Sequence, residues 1–173
     1  MPNHGDIFAS HPLLPDQKEP RWLISSQKIF SSTVEGHQDA APCTEWRYAA
    51  RHAIQDSFLD TFKKLGVVYS DPVEFGIVSG AHSAILQERF YKKQPFSEIT
   101  FCGLDPGKKK STVVRRTQFS NCFLGEIRSS GRKEYYAFYF SKISDTVTVF
   151  DPKTGHPKGN AVFAYDLVKG EAP

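Results

Sequence analysis

Apolar and polar residues alternate along most of the chain, with a period of two that predicts strands. In VEFGIVS, Val73, Phe75 and Ile77 fall on one side. SEITFC is a short apolar run closed by a turn, LDPG. NCFLGEIRSS and EYYAFYF read as two strands joined at Ser129–Gly131, and DTVTVFDP alternates again before Asp-Pro ends it. AVFAYDLV supplies a last strand, and RWLISSQKIFSSTV holds one near the start. VVY, residues 67–69, leads into the turn Ser70-Asp71-Pro72.

One segment follows a different period. Trp46, Ala49, Ala50, Ala53, Ile54, Phe58, Phe62 and Leu65 recur at intervals near 3.6 and predict a helix over 44–65. Thr44 can cap it, Glu45 suits its first turn, Lys63-Lys64 suit its last, and Gly66 can stop it. HSAILQERFYKKQ fits strand or helix equally, up to Pro95. One long helix and then five to seven strands predict an α+β fold, a bent antiparallel sheet with the helix packed on it.

Composition adjusts this picture little. A chain of 173 residues suits one domain, placed at 21–169, with residues 1–20 as a flexible tail carrying four prolines. The 14 Phe and 7 Tyr favour sheet. No apolar run is long enough to span a membrane, and the first residues lack the basic-then-apolar order of a signal peptide. Three separated cysteines without a CxxC predict free thiols in a reducing, cytoplasmic setting. A net charge of +3 does not argue for nucleic acid. The histidines and cysteines lack metal-ligand spacing, and no phosphate-binding glycine motif occurs, so no cofactor or metal is implied.

Two segments carry candidate chemistry. GKKKSTVVRR places five cations in ten residues. It reads as a solvated hairpin tip or as an anion site, with Arg115, Arg116 and Lys108 against a phosphate. Cys43 precedes the predicted helix, where a dipole would favour its thiolate. Cys102 reads as a small core residue.

The stretch from VEFGIVSG through Phe90-Tyr91-Lys92-Lys93 and Pro95 to Thr100-Phe101-Cys102-Gly103-Leu104-Asp105-Pro106 resembles phosphotyrosine-binding (PTB) domains, most closely those of tensins. NCFLGEIRSSG and KEYYAFYF fit the family's following strands, so the likeness covers roughly residues 73–140. It implies a partly open barrel of the pleckstrin-homology/PTB type. It further implies a cytoplasmic signalling adaptor that takes an extended Asn-Pro-x-Tyr or Asn-Pro-x-Phe peptide at a sheet edge. Phe123, Leu124, Gly125, Glu126 and Ile127 would run beside that peptide, with a receptor or integrin-like tail as partner and a phosphoinositide as a further candidate. The family's closing helix has no counterpart here, because the last thirty residues alternate as strands.

A weaker resemblance, to papain-like cysteine hydrolases and deamidases of the effector type, rests on Cys43 in APCTEW and on FDPKTG around Asp151. It implies Cys43 as nucleophile and Asp151 as the residue orienting a base. Lys133 to Ala137, where the base would stand, contains no histidine; His52, His82 and His156 are the central alternatives, with His156 nearest Asp151.

Overall fold

The computed structural model describes residues 21–31, 36–52, 68–105 and 112–170 of the chain. Its strands are β1 (Arg21–Ser25), β2 (Ala40–Arg47), β3 (Ala50–His52), β4 (Val68–Ser70), β5 (Val73–Val78), β6 (Phe96–Leu104), β7 (Val113–Ser130), β8 (Lys133–Tyr139), β9 (Lys142–Phe150) and β10 (Pro157–Asp166). A helix, α1, spans Ala81–Tyr91 between β5 and β6.

The main sheet runs β10-β9-β7-β6-β1-β2-β5-β8, and β8 returns to pair with β7. That last pairing closes β7, β6, β1, β2, β5 and β8 into a six-stranded barrel, all of whose neighbours are antiparallel. Closure gives each of those six strands a neighbour on both sides along part of its length. β9 and β10 continue outside the ring as a two-stranded flap. β3 and β4 form a separate short ladder, Ala50 facing Ser70.

Alternation explains which side chains fill the barrel. Val73, Phe75 and Ile77 on β5 are buried, as are Ile99 and Phe101 on β6, Phe119 on β7, and Tyr136 and Phe138 on β8. Rings occupy most of the lumen. Trp46 stacks on Phe101 at 4.5 Å and Phe75 on Tyr136 at 5.3 Å, while Phe119 meets Phe138 edge-on at 5.5 Å. Each such pair adds about 0.5–1.5 kcal/mol beyond the area it buries. Phe75, Phe101, Phe119, Tyr136 and Phe138 are therefore the plug of a barrel too narrow for an aqueous channel.

α1 starts at Gly80, whose N–H donates to Ser83 Oγ at 3.0 Å. Ser83 Oγ in turn donates to Glu134 Oε2 at 2.7 Å, pinning the helix start to β8. Leu86 is its buried contact, and Arg89 lies over the Phe96 ring at 4.8 Å where the chain enters β6.

Two structural expectations are corrected. The α+β, partly open barrel with a long packed helix is replaced by a closed, mostly stranded barrel with a short helix. The helix expected over 44–65 is strand wherever it is described: β2 runs through Arg47 and β3 covers Ala50–His52, while 53–65 lie outside the described residues. Pairing decides the outcome. Trp46 faces Phe75 across β2 and β5, so its ring enters the lumen, and Cys43, three residues earlier, is brought to the same face by a register shift before Glu45 and is buried opposite Ile77. Ala50, part of the apparent helical stripe, is exposed. Tertiary pairing overrides the local 3.6 period. The tail expected at 1–20 also lies outside the described residues.

Candidate functional site

β8 and β9 are two halves of one return path along β7. Phe123 faces Tyr139 and Ser120 faces Lys142, with no slip between the two pairs. The ribbon bends between them. Asn121 takes a left-handed φ of 54°, and its amide donates to Ser141 Oγ at 2.7 Å across the bend. Asn tolerates this conformation better than most residues. On the return path β8 belongs to the barrel wall and β9, past the bend, to the flap, while β7 lies in the wall on both sides of the bend.

Residues directly opposite one another share a face of a sheet. On the flap Ile143 faces Tyr165, Asp145 faces Phe163, Val147 faces Ala161 and Val149 faces Gly159. Ile143 is buried and Tyr165 packs against the barrel core, so this face continues the barrel's inner surface. Farther out no described residue covers it: Val147, Val149 and Phe163 are exposed. The opposite face carries Ser144, Thr146 and Thr148 together with the exposed Val162, which stands opposite Thr146.

An ion pair fixes the flap to the barrel mouth. Arg115 donates to both Asp145 oxygens, with Nη2 at 2.7 Å from Oδ2 and Nε at 3.1 Å from Oδ1. Thr117, fully buried, donates its hydroxyl to Asp145 Oδ1 at 2.7 Å. At the far end of β10, the Asp166 carboxylate accepts N–H bonds from Val168 at 3.0 Å and Lys169 at 3.1 Å, with Lys142 Nζ 3.3 Å away. These contacts, the Lys169 N–H first, hold its carboxyl below the usual range.

A second apolar surface lies on the outer wall. Phe123 and Tyr139 are cross-strand neighbours facing outward, since Leu124 and Phe138 beside them point into the lumen. The Tyr139 ring lies against Gly125, where a Cβ would stand 2.6 Å from Cε2. Glycine at 125 is what lets that ring lie flat on the wall. Tyr69, Tyr139, Phe140 and Leu167 line a cavity of about 150 Å³ here.

The expected site residues fall as follows. Phe123–Ile127 lie in β7 and pair with β8, which also pairs with β5 to close the ring. Arg115 and Arg116 point to opposite faces of β7; Arg115 is engaged by Asp145, and Arg116 sits beside Cys102. Lys108 lies outside the described residues. Cys43 is buried in β2, not at a helix start, and its thiol donates to the carbonyls of Glu45 at 3.1 Å and Gly76 at 3.4 Å. Burial pushes it up to about 12. Asp151 belongs to the β9–β10 turn, where its Oδ1 accepts the N–H of Lys153 at 2.7 Å and the His156 carbonyl accepts the Asp151 N–H. Cys43 and Asp151 are thus engaged with separate partners. His52 is on the short β3, and His82, at the start of α1, meets the Val78 carbonyl at 3.1 Å. Cys102 is buried on the wall's outer side, beside Leu23, Ala40 and Leu104.

The exposed apolar face of the flap was missed by sequence reasoning. A signal was available in DTVTVFDP and AVFAYDLV, two consecutive apolar alternations.

No protein-family model matches this sequence, and no curated protein matches it. Solved structures do. A type six secretion system protein superposes with a TM-score of 0.77 at 13% identity, over 89% of this chain and 99% of its own. Hcp1 from Salmonella typhimurium gives 0.71 at 14%, over 90% and 100%. The secreted protein Hcp3 from Pseudomonas aeruginosa gives 0.61 at 14%, over 84% and 97%. The likenesses to PTB domains and to papain-like hydrolases are corrected by these superpositions, and with them the peptide-binding adaptor, the hydrolase, the receptor or integrin-like tail and the phosphoinositide. A dozen local positions of alternating aromatic strand fit several barrels; the pairing order distinguishes them. Among the described residues no helix is long and apolar enough to cross a membrane. The chain has the closed-barrel fold of these type VI secretion proteins.

Proposed function

We propose that this protein is a structural subunit of a type VI secretion apparatus that associates with copies of itself into rings and tubes. The observation that carries the reading is the match of a closed barrel and its flap to type VI secretion proteins over nine-tenths of this chain and the whole of Hcp1. The chemistry of the candidate site supports it. Burial keeps the Cys43 and Cys122 thiols protonated, which suits packing and not nucleophilic attack. The exposed rings of Phe163, Tyr69 and Tyr139 suit contacts between proteins. In this reading the chain is made in the bacterial cytoplasm, in keeping with the reducing setting expected from its free thiols, and is then exported.

Negative-stain electron microscopy of the purified protein tests this reading. Rings of uniform diameter, stacking at high concentration, are expected. Fields of single small particles at every concentration would overturn it.

A further inference from the structure

Self-association leaves open which surfaces meet. The bend at Asn121 and Ser141 separates two apolar patches, on opposite sides of one ribbon, that no described residue covers. The first is the inner face of the flap, with Val147, Val149 and Phe163. The second is the outer wall, with Tyr69, Phe123 and Tyr139. Both are held rigidly. The Arg115–Asp145 pair fixes the flap, and the Gly125–Tyr139 contact lays the wall ring flat. Preorganised aromatic side chains lose little entropy on docking.

We infer that the flap's inner face seats on the outer-wall patch of a second copy, head to tail; this rests on the self-association proposed above. Area supports a second copy as the occupant. Phe163 is 55% exposed, Tyr139 55%, Tyr69 56% and Phe123 41%. At roughly 200 Å² for a full ring, these four leave on the order of 400 Å² in water. A stable contact at its lower limit buries about 1,200 Å² in all, somewhat more than half of it apolar. One flap meeting one wall therefore supplies about half the apolar area that such a contact needs from rings alone, before Val147 and Val149 are added.

The two patches differ, so the contact is heterologous. Each copy can be engaged on both sides at once, and the repeat closes into a ring or extends as a filament. A patch that paired with itself would stop at a dimer.

Sedimentation of two variants, alone and mixed, tests the inference. Phe163→Asp removes the flap patch and Tyr139→Asp the wall patch. Each alone is expected to sediment as a monomer with the parent's near-ultraviolet circular dichroism. Mixed in equal amounts they are expected to give a one-to-one dimer, because the intact wall of the first accepts the intact flap of the second and both outer surfaces are blocked. Val147→Asp with Tyr69→Asp repeats the test if either first variant loses its fold, and the same pattern is expected. A variant that keeps the parent's assembled mass overturns the inference while leaving self-association standing. Folded monomeric variants that stay monomeric when mixed also overturn it. A parent that is itself monomeric removes both the inference and the proposed function.

Discussion

Arg115 and Asp145 grip one another across β7 and β9 at the point where the flap leaves the barrel, with the buried Thr117 hydroxyl donating into the same carboxylate. Asp145 is mostly sheltered, whereas the Arg115 side chain is 42% exposed, so water screens part of the attraction. Asp145→Ala leaves both donors without their acceptor. A loss of about 1–3 kcal/mol in urea unfolding is expected. Asp145→Asn, which keeps an acceptor for Thr117, is expected to recover part of it.

Glu134 is a buried carboxylate that joins the helix to the barrel. It accepts from Ser83 Oγ at 2.7 Å and from Tyr136 Oη at 2.8 Å. Glu134→Ala strands two hydroxyls and is expected to cost about 2–3 kcal/mol. Glu134→Gln preserves an acceptor oxygen and is expected to cost about 1 kcal/mol or less. Thermal melts of the two variants check the difference. Burial and the Glu134 contact also push the Tyr136 phenol upward, so its ionisation in an absorbance titration is expected only after the exposed tyrosines have titrated.

The thiols are expected to be inert in the folded protein. Burial pushes Cys43 and Cys122 up to about 12 and raises Cys102 as well. Iodoacetamide at mildly alkaline pH is expected to label none of the three rapidly until denaturant is added. Fast, selective labelling of Cys43 in the native state would contradict this packing.

Acid is expected to loosen the end of β10 first. The Asp166 carboxyl is held below its ordinary value, chiefly by the Lys169 N–H. A depressed carboxylate contributes stability above its unfolded pKa and loses it as pH falls through the folded value. The window therefore opens below about pH 4, the ordinary value for Asp. Protection of the Val168 and Lys169 N–H groups against hydrogen exchange should fall there, and Asp166→Ala, which removes the acceptor, should leave them weakly protected at every pH.

Individual strands were legible because their burial follows residue alternation. Val73, Phe75 and Ile77 are all buried on one side of β5, and the turn expected at 129–131 falls at Gly131 and Arg132, between β7 and β8, with Gly131 at a left-handed φ of 62°. Closure was not legible. β5 meets β8 through Phe75 and Tyr136, sixty residues apart, and no local pattern announces that pairing. The same alternating aromatic strands would serve an open barrel. The start of β7 was hidden by its charge. Arg115 and Arg116 read as a solvated tip, yet they lie in the ladder, opposite Gly103 and Cys102. The pair that partly neutralises them, Arg115 with Asp145, spans thirty residues. The flap's apolar face was readable in principle, but an uncovered face is recognised only when the rest of the fold is known.

The most direct measurement is the mass of the native protein by light scattering, followed across a dilution series. The account predicts a discrete multiple of the monomer that dissociates as the protein is diluted, and that Phe163→Asp abolishes. A single monomeric mass at all concentrations would contradict it.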